Sequence, residues 1–217
     1  SRVSRGLGDV YKRQTNYSIK TGKGFKNFGF NLGLSYIKIG DRHAPSYTLT
    51  NSGKDEKGLN LGFHYHLKNF DIKTYYSYVG IDQALLKASM FHSGNAISRA
   101  ISSEIPLIVE PFSYDINPPS QWVKHHFAKV SIDWWYNEND KISLIAGRQL
   151  NKRKEFDVRR NIEKPIIDLD LTSTDLMLEW DHSFSDNLDG LIGLHFFNQD
   201  NDNNPGTQTT PFIPNYN

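Results

Sequence analysis

Phe28-Gly29-Phe30-Asn31-Leu32-Gly33-Leu34-Ser35-Tyr36 is the stretch on which the fold turns. Successive side chains of a strand point to opposite sides. Phe28, Phe30, Leu32, Leu34 and Tyr36 therefore share one face, and Gly29, Asn31, Gly33 and Ser35 the other. After a long polar stretch the pattern returns, with Leu59, Leu61, Phe63, Tyr65 and Leu67 set against Asn60, Gly62, His64 and His66. The chain then reverses through Lys68 and Asn69, and the next connection is long again. Strands with one apolar face, joined by turns that are short at one end and long at the other, are the pattern of a transmembrane β-barrel.

Working outward, a weak first strand is expected over 16–21, with a glycine-containing turn at 22–24 and a second strand over 26–38. The stretch 39–57 reads as a loop because it holds the turn formers Pro45, Asn51 and Gly53. Strands follow over 58–68 and 70–86. The longest connection, 87–120, carries a helix-like piece over 95–103 and then Pro106, Pro111, Pro118 and Pro119, which no continuous strand accommodates. A fifth strand sets Ala128, Val130, Ile132, Trp134 and Tyr136 against Lys129, Ser131 and Asp133, and closes through 137–140. A sixth spans 141–159 and turns through 161–168 into a seventh, where Leu176, Leu178 and Trp180 oppose Asp175, Met177 and Glu179. A tight turn at 185–187 leads to an eighth with Ile192, Leu194 and Phe196, and a polar loop is expected from Gln199 onward.

The expected fold class is all-β, an antiparallel up-and-down meander of about eight strands. About 9 to 11 tilted residues cross the hydrocarbon. The charged end of the sixth strand, Asn151 to Asp157, should then stand outside the membrane as an exposed ribbon. Trp134, Trp135 and Tyr136, beside a tight turn, suit an interfacial aromatic girdle. The competing reading is a soluble β-sandwich, for example a carbohydrate-binding module, in which the same aromatics are simply buried.

Ser4 to Gln14, SRGLGDVYKRQ, looks like the translated end of a sequencing-library adapter, so residues 1–14 are set apart from 15–217. The 25 basic and 24 acidic residues fall to 21 and 23 once Arg2, Arg5, Lys12, Arg13 and Asp9 are taken out, a balance of about −2. Nucleic acid favours a clustered basic surface, so no nucleic-acid partner is expected. The chain has no cysteine, which excludes a disulfide framework, a thiolate zinc site and a cysteine nucleophile. It has no apolar run long enough for a membrane-spanning helix. Its negative mean hydropathy leaves a barrel open, because a barrel strand offers lipid only every second residue.

Chemical motifs are sparse. His64 with His66, and His125 with His126, offer imidazoles to a metal, although rim or lining histidines are the plainer reading. Asp200-Asn201-Asp202-Asn203-Asn204 opens like a calcium loop, but Pro205 and Pro211 stand where the EF-hand requires glycine and glutamate. Gly22-x-Gly24 lacks the lysine and hydroxyl of a phosphate loop, and no G-x-S-x-G is present. Glu155 with Asp157, and Asp168 with Asp170, imitate acid–base pairs at a spacing that polar ribbons produce freely. Lys152 to Lys154 with Arg159 and Arg160 form a basic run suited to anions, or to a solvated ribbon that repels edge pairing. No enzymatic activity and no cofactor are expected.

Lys152 to Arg160, KRKEFDVRR, followed by Pro165 and Asp168-Leu169-Asp170-Leu171, resembles a middle barrel section of TonB-dependent outer-membrane receptors of the Bacteroidetes type. Ala44-Pro45-Ser46-Tyr47 with Asn51-Ser52-Gly53, the run Glu110 to Pro119, His125-His126 and Pro211 to Tyr216 fit in the same order. The resemblance implies an incomplete arc of a plugged transmembrane β-barrel of about 22 strands. It further implies an outer-membrane location, contact with lipid and lipopolysaccharide, and energy from the TonB complex through an N-terminal region not contained in 15–217. The imported solute would be scarce and small, such as a ferric siderophore, a vitamin or an oligosaccharide. In the external connections, His92, Arg99, Tyr114, Arg159 and Arg160 are the candidate ligand contacts.

Overall fold

Residues that alternate in the sequence form long strands. The computed structural model describes residues 2–5 (backbone only), 13–90, 93–185, 187–209 and 213–216. In chain order these give β1 (Arg2–Arg5), β2 (Gln14–Gly24), β3 (Phe28–Ile39), β4 (Arg42–His43), β5 (Thr48–Leu49), β6 (Lys54–Leu67) and β7 (Phe70–Ala84). A short 3₁₀ turn (Lys87–Ser89) and α1 (Gly94–Ile101) precede β8 (Ser120–Trp135), β9 (Lys141–Phe156), β10 (Ile167–Ser185) and β11 (Leu188–Asn203). The eight long strands form one antiparallel meander in the order β2-β3-β6-β7-β8-β9-β10-β11, with β1 paired to the outer side of β2 and β4–β5 a separate two-stranded hairpin.

Several boundaries differ from those the sequence suggests. The first turn lies at Phe25–Asn27 rather than Gly22–Gly24, closed by the Phe25 N–H donating to the Phe28 carbonyl at 2.6 Å. Gly22 is a strand residue, and a Cβ there would stand 2.8 Å from the Phe30 carbonyl oxygen. β6 starts four residues early, at Lys54, because ladder bonds to β3 and β7 continue past the apolar run into Asp55 to Lys57. β9 ends at Phe156, where Asp157 leaves the ladder to bind Arg159. Asp200 to Asn203 are strand residues paired with Leu169 to Thr172, so neither a calcium loop nor a solvated loop begins there. α1 begins at Gly94, one residue before the expected helix, because the Ser93 hydroxyl caps it by accepting the Ala96 N–H at 3.3 Å. β9 lies between β8 and β10, so its basic ribbon is internal and guards no edge.

All the tight turns sit at one end of the sheet and all the long connections at the other. Little apolar material is enclosed. Among the described residues the buried hydrophobic side chains are Ala84 and Leu169, while Asp41, Thr48, Thr50, Asn51, Ser120, Asp157 and Asn201 are buried polar groups at the long-connection end. The Asn51 amide donates to the carbonyls of Leu85, Asn117 and Pro119 at 2.8, 2.8 and 3.0 Å, and its oxygen accepts the Asn117 N–H at 3.1 Å. Asp41 accepts the N–H groups of Ser52 and Ser113 at 2.9 and 3.2 Å. These bonds join the connection 40–53 to the connection 85–119. A second set joins 157–166 to 204–209, through Gln208 to Asn161 and Lys164 and through Thr209 to Ile166.

Candidate functional site

Ladder partners share a face, so the pairing traces each row across the sheet. One row runs Phe30, Phe63, Thr74, Val130, Ala146, Leu176, Phe196; the next, toward the tight turns, runs Phe28, Tyr65, Ile72, Ile132, Leu144, Leu178, Leu194. Among the described residues nothing covers this apolar face. Phe63 and Leu144, flanked on both sides by neighbouring strands, are still 41% and 40% exposed. A sandwich would lay a second sheet over such a face, but among the described residues the other sheet is only the hairpin β4–β5.

The apolar band runs obliquely to the rows. On β3 its upper limit is Tyr36, whose row continues through Lys57, Gly80, Lys124 and Lys152 to Asp170. On the same face of β10 the apolar residues begin only at Leu176, six residues beyond Asp170. The lower limit shifts equally. Phe28 lies in the row of Leu178, whereas β10 carries aromatics on to Phe184, six residues further. Six residues span about 20 Å, and the five strand steps from β3 to β10 span about 24 Å. The strands are thus tilted by about 40° to the normal of the band.

Aromatic rings mark both limits. At the tight-turn end Phe70 and Trp134 stack at 5.9 Å, Trp134 meets Tyr136 at 5.8 Å, and His182 lies between Trp180 and Phe184 at 4.8 and 4.6 Å. At the other limit stand Tyr17, Tyr36, Tyr76 and Tyr78, all on the apolar face. Trp135, expected in the girdle, faces the opposite side and pairs with Lys141.

The opposite face carries polar side chains from end to end, with an apolar cluster of Phe127, Ile145, Met177 and Phe197 among them. The Tyr75 hydroxyl donates to Asn60 at 2.7 Å, the Ser143 hydroxyl to Asp133 at 2.6 Å, and His195 meets Asp175 at 2.9 Å. His64 and His66 both approach Asp71, which also binds Lys73 at 2.7 Å. His125 and His126 occupy opposite faces, His125 at Asn151 and His126 at Tyr76, so the pair supplies no joint metal site. Among the described residues no three such side chains are arranged to hold a metal ion. Each of the four paired carboxylates has its own cation: Glu155 holds Arg153, Asp157 Arg159, Asp168 Lys154 and Asp170 Lys152.

Arg99, Tyr114, Arg159 and Arg160 all lie at the long-connection end, the first two on the β7–β8 connection and the last two on the β9–β10 connection, and His92 lies outside the described residues. Arg160 and Arg99 are exposed. Arg159 is committed to Asp157, donating from Nε at 2.8 and 3.0 Å, and this hydrogen bond holds the Asp157 carboxyl below its ordinary range. Tyr114 carries the Lys38 ammonium 5.6 Å from its ring centre. It borders a cavity of about 400 Å³ that also includes Lys57, Asp82, Trp122 and Lys124. The sequence reading missed those last four, because only the register puts three strands' residues side by side. No protein-family model matches the chain, and no curated protein matches it.

Proposed function

We propose that this chain is part of the wall of an outer-membrane transport receptor of the TonB-dependent kind, taking up a scarce small solute at its long-connection end. The uncovered, oblique apolar band is the observation that carries this reading. A tilt of about 40° falls in the 35–45° of transmembrane barrels, as does a band with aromatic girdles at both limits and polar residues on the reverse face. Burying that face in lipid replaces the missing protein core, at roughly 25 cal/mol for each Å² removed from water.

In hydrocarbon every backbone group must be paired, so the sheet is to be continued by further strands into a closed barrel. The Asn201 N–H donates to the Tyr216 carbonyl at 2.8 Å and the Tyr216 N–H returns at 3.2 Å, which brings chain back onto the free edge of β11. The long connections face outward and take the solute. The polar face of Asn60, Tyr75, Lys129, Asp175 and Gln149 lines its route past a plug that TonB displaces. No covalent step is required of the residues present.

The test is transfer of the purified 217-residue chain to vesicles containing lipids brominated near the headgroup. Fluorescence of Trp134 and Trp180 should be quenched, and the double variant Trp134→Phe/Trp180→Phe should lose most of the quenching. A chain that stays monomeric in detergent-free buffer and shows no quenching overturns the proposal.

A further inference from the structure

Four apolar side chains interrupt the polar face: Phe127 on β8, Ile145 on β9, Met177 on β10 and Phe197 on β11. Around Gly147 they line a cavity of about 290 Å³. The backbone does not demand glycine there. Gly147 lies outside the left-handed region, and a Cβ on it would meet the Asp175 Cβ and the Phe127 ring at 3.8 Å, an ordinary contact. What the missing side chain leaves is room, at the floor of an apolar cup. Phe127 is braced by the Tyr75 ring at 6.0 Å, and Phe197 is 56% exposed on the free-edge side.

Opposite charges stand on the two sides of the cup. Ladder pairing sets Lys129, Gly147 and Asp175 in one row on β8, β9 and β10, and all three border the cavity. Lys129 is exposed and belongs to none of the ion pairs among the described residues. Asp175 is oriented by His195, which meets its Oδ2 at 2.9 Å, and its Oδ1 has no hydrogen-bond partner among the described residues. Gln149 and Ser173 border the same cavity with their side-chain donors and acceptors unspent among the described residues. Two strand steps put the row positions of Lys129 and Asp175 about 10 Å apart. Three extended residues, at about 3.3–3.6 Å each, span the same distance.

We infer that the Gly147 cup is a subsite for a short peptide on the polar side of the wall. Lys129 takes the C-terminal carboxylate, Asp175 the N-terminal ammonium, and the cup the apolar side chain between them. Gln149 and Ser173 serve the peptide groups. The inference rests on the transport reading above and narrows its solute to a peptide of about three residues. A neutral sugar would use neither charge, and an anionic metal chelate would be repelled by Asp175.

The 217-residue chain in lauryl maltoside micelles, dialysed to equilibrium against tritiated Ala-Phe-Ala and corrected with protein-free micelles, should hold one tripeptide per chain. The C-terminal amide, the N-acetyl form and Ala-Gly-Ala should each bind about tenfold or more weakly. Lys129→Met should weaken the free acid by the same factor and leave the amide unchanged, and Lys129→Arg should restore the acid. That pairing of a loss in the ligand with a loss in the protein separates recognition from folding. Gly147→Leu, which fills the cup, should abolish binding of all four peptides. Equal weakening of acid and amide by Lys129→Met overturns the subsite, as does 3-phenylpropionate binding as tightly as the tripeptide. A chain that needs micelles to stay dispersed yet holds no Ala-Phe-Ala sinks the subsite alone. A chain that is a stable monomer without detergent overturns the transport reading and the subsite with it.

Discussion

Trp180 donates its indole N–H to the Tyr136 hydroxyl at 2.8 Å, tying β10 to the turn that joins β8 and β9. Both rings stand on the apolar face at the tight-turn limit, beside Trp134 and the Phe70 ring stacked on it. Such rings keep a polar tip in water and an apolar body in lipid, so they fix the level at which a wall sits. The row that contains Trp180 also contains Ile142 and Ile192.

Leu178→Arg, within the band, should cost about 2–4 kcal/mol when unfolding is followed by urea titration in micelles or vesicles. Thr172→Arg, on the same face of β10 but beyond the upper limit, should change stability by less than about 1 kcal/mol. Equal costs at the two positions would mean that water, not lipid, meets both.

Asp157 accepts the Arg159 N–H at 2.9 Å as well as the guanidinium, and its carboxyl titrates below the ordinary range. A carboxyl whose folded value is lowered adds stability that is present above its unfolded value, about pH 4, and lost as the pH falls through the folded value. Amide exchange over 157–166 should therefore quicken below about pH 4. Asp157→Asn should exchange fast at neutral pH as well, with a flattened pH dependence, and slow exchange in that variant would count against the clasp.

Asn51 adopts φ +61°, a left-handed conformation that asparagine tolerates, and shares its two amide protons among three carbonyls. Asn51→Gly keeps the backbone conformation and removes the bonds, while Asn51→Ala loses both. The glycine variant should cost the loop clasp about 1–3 kcal/mol and the alanine variant about 1 kcal/mol more, read as faster limited proteolysis within 102–117. If glycine restored full resistance, strain alone would be the reason for asparagine here.

Lys152 binds Asp170 at 2.6 Å and Lys154 binds Asp168 at 2.9 Å across the β9–β10 pair, with the lysine side chains 42% exposed. Exposed pairs of this kind contribute roughly 0–1 kcal/mol. Lys152→Met should thus shift the urea midpoint little. A loss beyond about 2 kcal/mol would show that this ribbon is not in water.

The alternation from Phe28 to Tyr36 and from Leu59 to Leu67 was enough to place those strands and their faces, because side-chain direction in a strand follows from residue number alone. Strand ends were not legible. β6 runs on through Lys54 to Lys57, where ladder bonds to neighbours override an unfavourable local composition. The aromatic turn residues were readable, but Trp135 pointed away from its neighbours by the same parity that placed Trp134 correctly. Among the candidate contacts, Tyr114 borders a cavity and Arg159 is spent on Asp157, a distinction that needs coordinates rather than spacing.

By itself, then, the amino-acid order determined that this chain makes long strands with one apolar and one polar side, since period-two alternation is local. Only the tertiary structure decided how those strands are offset. Register is set by hydrogen bonds between residues far apart in the chain, and it alone turns eight separate apolar runs into one oblique band. The same register brings Lys57, Tyr78 and Lys124, from three strands, to the edge of a single cavity.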